Sequence, residues 1–202
     1  ALIKAKEAGY SCTEAWVDGC PVAEVRAAGY SCVEAKKAGY SPEEIRSAGY
    51  SCGDAMMAGL SCAVARKAGY SCAEAKAANY SLEEIHAADY SCADVKAAGY
   101  ASNEAKAMGY LLEDVRKGGY TCREATAAGY SWDEIRATGY SVKAAKAAGY
   151  SCAELKVAGY SLKGMRVAGY SCKEVKSAIY GCIHITEARN EARWESRDAG
   201  RE

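Results

Sequence analysis

Eleven cysteines, sixteen tyrosines and two histidines are the side chains of this 202-residue chain best suited to chemistry. Thiols bind metals, pair as disulfides or sense oxidants, phenols stack on ligands or carry electrons, and imidazoles move protons. Each of these uses needs its own spacing. A metal site needs close ligand pairs such as C-x-x-C, and the chain has none. Ten of the cysteines, from Cys12 to Cys182, lie apart by multiples of ten residues, with Cys20 outside the series. His86 and His184 have no acid or nucleophile at a fixed distance in sequence, and no phosphate-cradling Gly-rich loop or nucleophile elbow occurs. No catalytic, cofactor-binding or metal-ligating residue is expected, and the chain is expected not to be an enzyme.

The tyrosines explain the cysteine spacing. Tyr recurs at 10, 30, 40 and 50 and then at every tenth position from 70 to 180, with Cys20 and Leu60 filling the two gaps. Gly precedes it almost every time. The unit S-C-x-E-A-K-x-A-G-Y is nearly pure at 71–80 and 151–160 and repeats in about eighteen tandem copies. A fixed period of this kind is the mark of a repeat architecture, so it governs every other reading.

Each copy spells one helix with both ends written in. Ser or Thr at the first place is an N-cap, and an acid three residues on closes a capping box, as in Ser31 with Glu34, Thr121 with Glu124 and Ser151 with Glu154. Pro42 falls on the first helical position, where its missing N–H does no harm. Gly29, Gly39, Gly149 and their equivalents supply the left-handed residue of a Schellman stop, and Asn79 and Asp89 are the non-glycine types that best tolerate it. The Tyr that follows, as at Tyr30, Tyr40, Tyr80 and Tyr150, packs back on the helix it ends and forward on the next. Both contacts land on the fifth place, which is Ala, Val, Ile, Leu or Met from Ala15 to Val175 and is therefore the expected core.

A helix of about seven residues does not persist alone, because nucleation outweighs so few hydrogen bonds. The copies must stack. Second-place Cys recurs every twenty residues from Cys12 to Cys92 except for the added Cys62, and small Ala15, Ala35 and Ala55 alternate with Val25 and Ile45 at the fifth place. The expected fold is all-α: an α-solenoid of short helices, one per ten residues and two per coil. Nine coils at 8 to 10 Å make a rod on the order of 80 Å. Cysteines one coil apart then exceed the roughly 4.4 to 6.8 Å that a disulfide allows between Cα atoms, so they are expected to be small buried residues in a reducing compartment, cytosol or organelle interior. The solenoid is expected over 1–180, and an amphipathic capping or docking helix over 181–202, suggested by Ile183, Ile185, Ala188, Ala192 and Trp194.

With 26 basic and 26 acidic residues the formal charge is zero, which gives no field for nucleic acid, and no apolar run is long enough to span a membrane. The chain starts with Ala and shows no targeting segment, so a processed form or a fragment is expected. Acids at the fourth place and Lys or Arg at the sixth form rows read as a solvated face. Departures from the repeat are where function is expected. Trp16 and Val17, and two coils on Met56 and Met57, put apolar residues where the consensus has Lys and Ala; with Trp194 they are the candidate partner-docking residues. Trp132, at the second place, is read as core.

The run A-G-Y-S followed by x-x-E-x-K, at 28–36 and 148–156, resembles tandem A-G-[FY]-S decapeptide helical-repeat proteins of algal, protist and bacterial type. The likeness covers 1–180 and implies a helical scaffold. The leading expectation is a structural scaffold or linker that binds other proteins as part of a larger complex. The alternatives are a module that uses periodic Tyr or charge rows to bind a ligand or surface, and a Cys-based redox sensor.

Overall fold

In the computed structural model, residues 2–179 are described. The chain divides into two compact units, Ala1–Gly118 and Gly119–Glu202. Twelve helices build the first: α1 (Leu2–Glu7), α2 (Cys12–Val17), α3 (Val22–Ala27), α4 (Cys32–Ala38), α5 (Pro42–Ser47), α6 (Cys52–Met57), α7 (Cys62–Lys67), α8 (Cys72–Ala77), α9 (Leu82–Ala87), α10 (Cys92–Ala97), α11 (Ser102–Ala107) and α12 (Leu112–Lys117). The described part of the second holds α13 (Cys122–Ala127), α14 (Trp132–Ala137), α15 (Val142–Ala147), α16 (Cys152–Val157), α17 (Leu162–Val167) and a helical run over 172–179. The division falls inside the array, and the helix expected over 181–202 lies outside the described residues, as does Trp194.

The helices are six residues long, seven in α4. Their ends obey the sequence. Ser31 Oγ accepts from the Glu34 N–H while the Glu34 carboxylate accepts from the Ser31 N–H, and the same box closes at Thr121 and Ser151. At the other end Gly69 sits at φ +97° and donates to the Arg66 carbonyl, while Tyr70 N–H reaches back to Ala65. That is the paired bonding of a Schellman motif. Asn79 at φ 65° and Asp89 at φ 60° take the same left-handed place.

Helices two apart in sequence stack, so that α2, α4, α6, α8, α10 and α12 form one column and α1, α3, α5, α7 and α9 another. In the second unit α13, α15 and α17 stack in the same way. Two helices per coil is therefore the architecture, as the twenty-residue undertone predicts. Every fifth place from Ala15 to Met165 is fully buried. Cores this thin are dense because Ala lets backbones approach closely.

The second place departs from expectation. Cys12, Cys32, Cys52, Cys62, Cys72, Cys92, Cys122 and Cys152 are buried there, but Trp132 is only half-buried. An indole is too large for a slot that a thiol fills, and it swings to meet Tyr150 edge-on, with ring centroids 4.4 Å apart. Leu82, Val142 and Leu162 are half-buried at the same place, while Val22 and Leu112 are buried there. Among the described residues Ser102 is the one buried polar residue of the core, and its hydroxyl has no hydrogen-bond partner there.

Candidate functional site

The groups that could have done chemistry hold one coil to the next. Buried phenols donate their hydroxyls to the backbone carbonyl twenty residues earlier: Tyr50 to Tyr30 at 2.7 Å, Tyr70 to Tyr50 at 2.8 Å, Tyr80 to Leu60 at 2.6 Å and Tyr90 to Tyr70 at 2.7 Å. In the second unit Tyr140 donates to Tyr120 and Tyr160 to Tyr140, both at 2.9 Å. The acceptor is itself the loop residue between two helices, whose carbonyl no helix uses. A ladder of side-chain bonds thus satisfies backbone groups that a chain of short helices leaves over.

The sixth-place cations are a second ladder, which corrects their reading as a solvated row. Lys36 donates to the carbonyls of Ala58 and Gly59 at 2.8 and 2.9 Å, Arg66 to Ala88 at 3.0 Å and Lys76 to Gly99 at 2.8 Å. Each cation thereby reaches the negative C-terminal end of the helix one coil on. The same cation lies over the Tyr that follows: Lys76 Nζ is 3.8 Å from the Tyr100 ring centroid, and Arg46 and Lys6 are each 4.4 Å from Tyr70 and Tyr30. One side chain serves a carbonyl and a ring together. Arg46 adds an ion pair with Glu74 at 2.8 Å.

Where the sixth place is not a cation the clasp is rebuilt. His86 meets Tyr110 edge-on at 4.8 Å. Arg123, from a third place, donates Nε to the Ala148 carbonyl at 3.1 Å, while Thr126 turns inward to its own helix. Trp16 lies over Gly39, its ring atoms 3.1 to 3.4 Å from where a β-carbon there would be. The sequence pattern puts Trp16 at an exposed edge; the structure gives half of that ring a clasp role and leaves it 46% exposed. Met56 is half-buried in the same position two coils on, while the neighbouring seventh-place residues Val17 and Met57 are 70% and 82% exposed. Trp16, Val17 and Met57 stand on the column of α2, α4 and α6, as the spacing predicts.

The cysteines are free among the described residues, and burial raises the thiols at Cys32, Cys52, Cys72 and Cys92 to about 11 and at Cys62 to about 12. A thiol kept neutral and covered is a poor nucleophile. Cys172 is exposed, and Cys20 is half-buried at a tenth place. Thiol titration of the folded chain is therefore expected to label Cys20 and Cys172 within the array readily. Cys12 to Cys152 at the second place should react only on unfolding; labelling of Cys62 at the rate of Cys172 in the folded protein would contradict this. No group of three or more His, Cys, Asp or Glu able to hold a metal occurs among the described residues, and His184 lies outside them. No helix there is long and apolar enough to cross a membrane.

Stacked two-helix coils tied by phenols and cations define a decapeptide α-solenoid. A family model described as a decapeptide repeat region matches residues 2–71, 59–132 and 109–182. The chain belongs to the decapeptide repeat family. No curated protein and no solved structure matches it.

Proposed function

We propose that the protein is a non-enzymatic structural scaffold or linker that binds other proteins within a larger assembly. The observation that carries this reading is a division of labour: phenols, sixth-place cations and thiols are spent inside the array, while large apolar side chains are left outside it, at Trp16, Val17 and Met57 and also at Ile3, Leu111, Val157 and Val167. Exposed apolar side chains where the repeat otherwise carries charge support a binding surface. The alternative in which the tyrosines form a ligand-stacking row is disfavoured, because most of their rings are buried, Tyr10, Tyr110, Tyr150 and Tyr160 being half-buried, and hydroxyls such as that of Tyr90 are engaged. A redox role for the thiols is opposed by their burial.

Gentle purification from the native source, followed by sizing, is expected to give a stoichiometric complex. Changing Trp16 and Met57 together to Lys should release the chain from it without loss of fold, since a Lys at 16 can take up the clasp that Lys36 makes at the equivalent place. A wild-type chain that runs as a lone monomer would sink the scaffold reading.

A further inference from the structure

In the second unit the charge pattern of the repeat is inverted on one column. Between 141 and 170 the chain has five basic residues and one acid, against a net charge of zero overall. Arg123, Lys143 and Lys163 occupy the third places of α13, α15 and α17, which stack, and all three are exposed, Arg123 with its Nε engaged by the Ala148 carbonyl and the two lysines outside any clasp described above. The fourth place, where the repeat has its capping acid, is Ala144 in α15 and Gly164 in α17. These two helices keep their N-caps, Ser141 accepting from Ala144 N–H and Ser161 from Gly164 N–H, each at 3.1 Å, but their first turns hold no acid.

A lysine in the first turn faces the positive end of the helix dipole, and a missing capping-box acid leaves an N–H without its usual acceptor. Both choices work against the fold, twice over, on neighbouring turns of one column. Local rules broken together without a structural return mark a functional surface. Beside the row runs a cleft of about 540 Å³ lined by Tyr120, Arg123, Tyr140, Ala144 and Ala147, which gives the charges an apolar shoulder.

We propose that the Arg123, Lys143 and Lys163 row docks an acidic α-helical segment of a partner protein. Stacked helices repeat at about 8 to 10 Å, and carboxylates seven residues apart on a helix repeat at about 10.5 Å, so an acidic helix laid along the column meets one base per two turns. Phosphates of a nucleic-acid strand are far denser than a single file of three bases. A phosphate partner would also want exposed rings for stacking, whereas Tyr140 and Tyr160 are tied into the coils. This deepens the scaffold reading and rests on it.

The test uses the full chain and a synthetic helical peptide with Glu at every seventh position, followed by fluorescence anisotropy at low and high salt. Binding is expected to weaken with salt, and to weaken about tenfold in K143E/K163E but not in K37E, which reverses an exposed lysine in the first unit. The reversed variant should melt roughly 1–3 °C higher, because Glu suits the first turn, so lost binding cannot be lost folding. A144E, which restores the capping acid beside Lys143, should weaken binding in the same direction. Peptide binding that is absent or indifferent to these changes overturns the proposal, and so does tighter binding of anionic vesicles or of a single-stranded oligonucleotide through the same lysines. A failed peptide with an intact native complex rejects this row alone, whereas a monomer in the native source rejects the scaffold reading itself.

Discussion

Tyr70→Ala is expected to lower stability by about 3–5 kcal/mol, the range for truncating a buried aromatic. Tyr70 is 2% exposed, its ring lies under Arg46 at 4.4 Å, and its hydroxyl donates to Tyr50 at 2.8 Å. Tyr70→Phe separates these parts: it keeps the ring and leaves the Tyr50 carbonyl without its phenol, for about 1–2 kcal/mol. The chain contains the converse experiment. Leu60 stands where a Tyr would donate to the Tyr40 carbonyl, and it is buried as fully as its Tyr counterparts. Leu60→Tyr is expected to add about 1 kcal/mol. Denaturant unfolding measures all three. Because coils touch only their neighbours, the alanine variant should uncouple the array locally and broaden the transition rather than shift it whole. A phenylalanine variant as stable as the wild type would mean that the ladder is packing and its hydrogen bonds contribute nothing.

Those hydrogen bonds were the part of the fold that the sequence hid. Helix starts and stops were legible because Ser31, Glu34, Gly39 and Asn79 act within a few residues of themselves, and local chemistry shows in local order. The fifth-place core was legible because its apolarity never lapses. The Tyr contacts that the repeat predicts are local too; they account for the ring and leave the hydroxyl idle. A pattern of period ten carries no sign that residue 70 addresses residue 50; only the weaker period of twenty, in Cys12 to Cys92, hinted at which repeats become neighbours. The same gap hid the clasps. Lys76 reads as one member of a solvated row until the stack brings Gly99 and Tyr100 under it.

The candidate docking residues divide along the same line. Val17 and Met57 are exposed because the seventh place faces outward in every described coil. Trp16 and Met56 are only partly exposed, since the sixth place touches the next coil and an apolar residue there partly fills a clasp. Trp132 failed on volume: the slot at the second place is set by the approach of the following coil, and sequence periodicity gives the position of a slot without its size.

Raising the pH from about 8 to 12 is expected to unfold the array cooperatively. Burial holds the thiols of Cys32 and Cys72 at about 11 and the phenols of Tyr50, Tyr70 and Tyr80 at about 12, each above its unfolded value. A group whose folded pKa is raised keeps its contribution below its unfolded pKa and loses it as pH climbs towards the folded one. Unfolded thiols ionise from about 8.5 and phenols from about 10, so loss begins with the cysteines and steepens when the tyrosines join. Helical circular dichroism and phenolate absorbance should then change together, because a buried phenol can ionise only when its coil opens. Phenolate appearing smoothly near pH 10 with the helices intact would refute the buried ladder. The acid side has the opposite sign and a smaller reach. Glu34 and Glu154 are held below the usual range by bonds from Ser31 and Ser151, so their contribution is lost as pH falls through their folded values. They sit at exposed helix ends, where water already screens the charge, whereas the thiols and phenols lie between coils. The array should therefore tolerate acid better than alkali, an asymmetry that follows from having put its carboxylates outside and its weaker acids within.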